Sequence, residues 1–150
     1  MPGLTIIDLE DALIDRIKAQ LSYLKTVESY GGQLEGDLRQ LAVRFPAVFV
    51  MLGAVRHDAE LDAFGGTYGA ECIFDLAVCC RNLRGEAAGR RESQGAYQIL
   101  DGLRQALAGQ TLGLAGAQPV EPDKEEALVI ERDLVIYRAA YRLGMQWELE

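Results

Sequence analysis

CIFDLAVCCRNLR, residues 72–84, carries all three cysteines of the chain and then runs into two arginines. A period of two puts Cys72, Phe74, Leu76, Val78 and Cys80 on one side and Ile73, Asp75, Ala77, Cys79 and Arg81 on the other. That alternation predicts a strand with at least one buried face. Cys72 and Cys80 would then stand roughly 26 Å apart, far beyond the ~7 Å a disulfide can span. Cys79 and Cys80 face opposite ways, and the spacing, with His57 as the sole histidine, fits no common zinc pattern. Free cysteine is among the most buried residue types, so Cys72 and Cys80 read as small apolar core residues, with Cys79 less determined. A catalytic thiol would need a base within reach, and His57 lies in VRHDAELDAFGG, which reads as a loop. Cys79 or Cys80 with His57 is the enzymatic alternative, a small cytoplasmic thiol enzyme.

On the N-terminal side, Thr5 with Asp8 resembles a capping box, and Ile6, Leu9, Leu13, Ile17, Leu21 and Leu24 recur at helical spacing. An amphipathic helix is predicted, with Asp8, Asp11, Asp15 and Lys18 on its solvated side. Gly31-Gly32 marks a turn, 36–45 reads as a short helical turn ended by Pro46, and AVFVML (47–52) reads as a buried strand. Residues 53–67 are expected to be a long polar loop.

On the C-terminal side, the glycine-rich and charged residues 82–95 read as a loop. A helix follows, with Ala96, Leu100, Leu103 and Leu107 on one face, Ser93 as N-cap and Gly109 as stop. Residues 115–126 read as a second long loop and ALVI (127–130) as a short strand. Glu131 to Asp133 then turn the chain into a final strand alternating Val135, Tyr137, Ala139, Tyr141, Leu143, Met145 and Trp147 with Arg138 and Arg142. The order predicts the α+β class: an antiparallel or mixed sheet of about four strands, with two main helices packed on one face. Residues 1–150 read as a single domain.

The chain has 150 residues, 49% apolar and 25% charged, ordinary globular composition with no stretch resembling a membrane span. Its N-terminus has acids where a signal peptide carries a basic start, which predicts no export signal and a cytoplasmic protein. A net charge of -8 opposes general affinity for nucleic acid, which rests on cations neutralising phosphates. No GxGxxG or Walker A loop occurs, and acid pairs such as Asp58 with Glu60 are common in acidic chains. No catalytic residue, cofactor or metal ligand is predicted. Arg81, Arg84, Arg90 and Arg91 stand out against this background. They read as a solvated loop, as an interface pairing with a neighbour's carboxylates, or least as a nucleic-acid contact.

ESYGGQL (28–34), CCRNLRGEAAGRR (79–91) and GAYQILDGLRQALAGQTLGL (95–114) together resemble the gene-product-thirty-seven family of Mu-like phages and prophages. The likeness runs from the first helix to the last strand, and its motifs are structural. It implies a contractile-tail protein whose element order is similar to that of tail terminators, one tail-terminator-like domain that caps the head-proximal end of the tail tube. The implied partners are further copies in a ring, typically a hexamer, the tail tube protein and the head-tail connector. No sequence-specific nucleic acid or membrane is implied. The place is the host cytoplasm during assembly and then the virion tail. A neck connector or tail completion protein is the alternative within the same module. Under this reading Arg81, Arg84, Arg90 and Arg91 are expected at a subunit or tube contact, the loops at 53–67 and 115–126 order on contact, and an acidic lumen lets DNA pass.

Overall fold

The computed structural model describes residues 4–35, 42–62, 66–81, 86–131 and 133–149. Helix α1 (Ile6–Gln20) begins at Thr5, whose hydroxyl accepts from the Asp8 amide while the Asp8 carboxylate accepts from the Thr5 amide. Two of the helix's first orphan donors are thereby satisfied by the predicted capping box. Leu9, Leu13 and Ile17 are wholly buried along one stripe, each contributing roughly 1.5–3 kcal/mol of apolar burial.

Strands β1 (Thr26–Ser29), β2 (Ala47–Asp62) and β3 (Thr67–Arg81) follow, then the short helix α2 (Glu86–Arg91), α3 (Ala96–Leu107), β4 (Glu121–Ile130) and β5 (Leu134–Glu148). The five strands form one open mixed sheet in the order β1-β2-β3-β5-β4, with β1 parallel to β2 and every other pair antiparallel. The architecture is α+β, as predicted, with a fifth strand beyond the four expected.

Helices α1 and α3 cover one face. Leu9, Leu13 and Ile17 of α1 and Ile99, Leu103 and Leu107 of α3 join Cys72, Phe74, Leu76, Val78 and Cys80 of β3 and Ala139, Tyr141 and Leu143 of β5 in a single apolar cluster. The Arg16 Nε donates to the Ala106 carbonyl at 2.9 Å and links the two helices. Arg104 grips both oxygens of Glu125 at 2.7 Å and links α3 to β4.

Four expectations change. Residues 53–62 continue β2, and the expected loop is the far half of a hairpin with β3. The bulge at Gly53 shifts the alternation by one residue and breaks the period of two that would have marked a strand. Residues 121–126 belong to β4, an edge strand exposed on most of its length and therefore without a core-facing pattern. Glu86–Arg91 form a single short helix within the expected loop, and α3 starts from Gly95, not Ser93. Strand β1 was too short to register as a pattern, with Val27 its one buried residue. Within 36–45, residues 36–41 lie outside the described ones, and 42–44 have no regular structure.

Candidate functional site

All three cysteines are free and buried. Cys72 and Cys80 lie in the helix-side cluster, and the Cys72 thiol touches Met145 Sδ at 3.5 Å. Cys79 lies on the opposite face among Ala47, Phe49, Leu134 and Ile136. Burial pushes every one of these thiols above the ordinary range, Cys80 to about 12 and Cys79 further still with its neighbour's help. A nucleophilic or metal-binding thiol needs the reverse shift. Cys79 pairs in register with Ala47, ten residues along β2 from His57, a separation of roughly 30 Å. His57 instead meets Trp147 edge-on at 6.0 Å. Among the described residues no group of three or more His, Cys, Asp or Glu converges on a metal position, and no helix is long and apolar enough to cross a membrane. The side chains of Asp58 and Glu60 lie outside the described ones.

Of the four arginines, Arg81 ends β3 on the face away from the helices, where its guanidinium stacks 4.8 Å over the Phe45 ring. Arg90 and Arg91 occupy the last turn of α2. Arg90 is near Tyr137, which packs with the helix-side cluster and meets the exposed Tyr97 edge-on at 6.2 Å. The structure therefore brings Arg81, Arg90 and Arg91 to one end of the sheet but divides them between its faces. Arg84 lies outside the described residues.

The face away from the helices holds a feature that the residue pattern did not single out. Tyr30, Leu34, Val43 and Phe45, from the segment between β1 and β2, cover the second cluster around Phe49 and Cys79. Beyond them an apolar groove of about 330 Å³ remains open, floored by Phe49, Ala77 and Ile136 and flanked by Met51 and Leu128. Met51 is 44% exposed and Leu128 54%, so the groove is flanked by accessible apolar surface.

A ladder of charge crosses the groove's rim. Arg138 on β5 donates to Asp75 on β3 at 2.9 Å and to Glu126 on β4 at 2.8 Å, and both carboxylates raise its pKa. Lys124 adds a contact to Glu126 at 3.2 Å, and Arg142 bridges to Glu121 at 3.3 Å. Gly53 makes room for this ladder, because a Cβ there would collide with the Asp75 carboxylate. Asp75 and Arg138 were visible as the polar members of their strands, but the register that joins them is a property of the β3–β5 pairing. The surface thus offers apolar contact area, a polar rim and unspent backbone edges, the elements of a protein–protein contact.

No curated protein matches the chain. Among solved structures, a chain of the virion of the native gene transfer agent (GTA) particle matches with a TM-score of 0.58 and 18% identity, covering 92% of this chain and 94% of that one. At that identity the likeness is one of fold. The family model described as "Bacteriophage Mu, Gp37" matches residues 5–147, from the α1 cap to the end of β5, and the chain belongs to that family.

Proposed function

We propose that this chain is a structural, non-enzymatic protein of a phage or prophage particle that caps the head-proximal end of a tail tube as a ring of identical subunits, each one tail-terminator-like domain. The observation that carries the reading is family membership over nearly the whole chain. The full-length fold likeness to a chain of a gene transfer agent virion supports it. Burial raises all three thiols, and His57 lies roughly 30 Å from Cys79 along the sheet, so the described residues show no thiol activated as a nucleophile. The net charge of -8 suits a ring through which DNA must slide without sticking. The partners are further copies, the tail tube and the head-tail connector. Assembly takes place in the host cytoplasm and the product resides in the virion tail.

Arg81, Arg84, Arg90 and Arg91 serve at a subunit or tube contact, where planar guanidinium groups pair with carboxylates of an acidic neighbour. Purified protein mixed with short tail tubes and imaged by electron microscopy should decorate one end of each tube with a ring. Protein that joins head connectors and ignores tube ends would identify a neck connector instead. The double reversal Arg84→Glu with Arg90→Glu should abolish tube-end rings while leaving the monomer folded, and unchanged rings would remove the arginines from the contact.

A further inference from the structure

The sheet has two open edges, and their backbone groups fall in matching order. On the β2 side, β1 pairs only with Ala47 to Val50, after which the Tyr30 amide donates to the Val50 carbonyl at 2.9 Å. Val50 therefore directs its backbone groups away from β3, and alternation along an antiparallel pair assigns the same direction to Leu52. The bulge at Gly53 shifts the phase by one, so Val55 and His57 point outward next. Among the described residues no backbone group meets this edge beyond Val50.

Carried across the sheet through the pairs Leu52–Phe74, Phe74–Tyr141 and Tyr141–Pro122, the same alternation turns Pro122 outward on β4. Proline has no amide to lose there, which is where edge strands tolerate it. Continuing past the bulges of β4, Glu125, Ala127 and Ile130 point outward, with the Leu128 bulge between the last two. The outward residues are thus spaced three and then two on β2 (52, 55, 57), and three and then two on β4 read backwards (130, 127, 125).

We propose that β4 of one copy adds to the free edge of β2 in the next, antiparallel, with Ile130 opposite Leu52, Ala127 opposite Val55 and Glu125 opposite His57. The two bulges then face each other, so both ladders stay in phase throughout. Arg56 falls opposite Glu126, adding an opposite charge on the outer face to the pairs Glu126 already makes with Arg138 and Lys124. β1 acts as a stop: its end opposite Val50 forces an incoming strand to begin at Met51 or Leu52. Because the edges differ, the contact is head-to-tail and repeats around a ring or along a filament. The pairing deepens the ring reading above and rests on it for closure.

Proline at an outward position removes the donor to the incoming strand and leaves the inner ladder intact. The full-length chain and its variants Val55→Pro and Ala127→Pro are compared by analytical ultracentrifugation, with circular dichroism and Tm confirming the fold. The wild type should assemble, and each variant alone should sediment as a monomer. An equimolar mixture of the two should sediment as a dimer, because one intact edge of each kind remains. Variants that assemble like the wild type, or a mixture that stays monomeric, overturn the pairing. If a proline variant does not fold, Arg56→Glu carries the test, with several-fold weaker association expected and unchanged association decisive against it. Wild-type rings indifferent to these changes would sink the edge pairing alone, whereas a wild type that forms no ring alone or on tail tubes would sink the ring reading too.

Discussion

Raising the pH from 7.5 to 10 should weaken the fold through its cysteines, by an amount the structure sets. An ordinary thiol loses its proton near pH 8.5, whereas burial holds Cys80 protonated to about 12 and Cys79 beyond that. Below pH 8.5 both folded and unfolded chains keep these protons, and the stabilisation is fully present. Between 8.5 and about 12 only the unfolded chain releases them, so each thiol subtracts about 1.4 kcal/mol of stability per pH unit. At pH 10 that is about 2 kcal/mol for each, or about 4 kcal/mol for the pair, a large part of the ~5–15 kcal/mol typical of a domain. Urea unfolding under reducing conditions at both pH values reads this directly. Cys79→Ala with Cys80→Ala provides the reference, since the rest of the chain is the same in both proteins. The double variant should start less stable at pH 7.5, by the apolar contacts its sulfurs made, yet lose about 4 kcal/mol less on going to pH 10. Equal alkaline losses in the two proteins would refute the burial argument, as would rapid labelling of native thiols at pH 7.5.

Two further tests address the helix cap and the outer face. Thr5→Ala should cost about 1 kcal/mol in chemical denaturation at pH 7. Because the cap lowers the Asp8 pKa, its contribution is present above the ordinary carboxylate range and fades as pH falls through the lowered value, so the gap to wild type should narrow in acid. Gly53→Val should destabilise by about 1–3 kcal/mol through collision with the Asp75 carboxylate. Adding Asp75→Ala should recover part of that loss in a double-mutant cycle, and strict additivity would show that the two positions do not meet.

The parts of the fold legible in the sequence are those where one layer buries one face. β3, β5, α1 and α3 each set an apolar stripe against the same cluster, and their periods survive in the residue order. The far half of β2, the near half of β4 and all of β1 escaped because their membership in the sheet is decided by backbone pairing, and bulges in β2 and β4 and the shortness of β1 leave no sustained side-chain period. The arginine-rich stretch stood out by composition, but its division between two faces follows from Arg81 ending a strand and Arg90 lying in a separate helix. The Asp75–Arg138–Glu126 ladder was illegible because its three members come from three strands and meet only in a specific register.

Both hairpins of the sheet, β2 with β3 and β4 with β5, join neighbours in the chain, whereas the seam between β3 and β5 unites residues roughly fifty to eighty positions apart. Nucleating that seam means closing a long loop before the contacts that reward it exist, a slow event compared with forming either hairpin. Both halves thus have time to take shape separately on a nascent chain, each showing a raw strand flank until the other arrives. Such a flank is the place where two unfinished copies would snare one another, so the yield of correctly made subunits depends on how quickly this central zipper shuts.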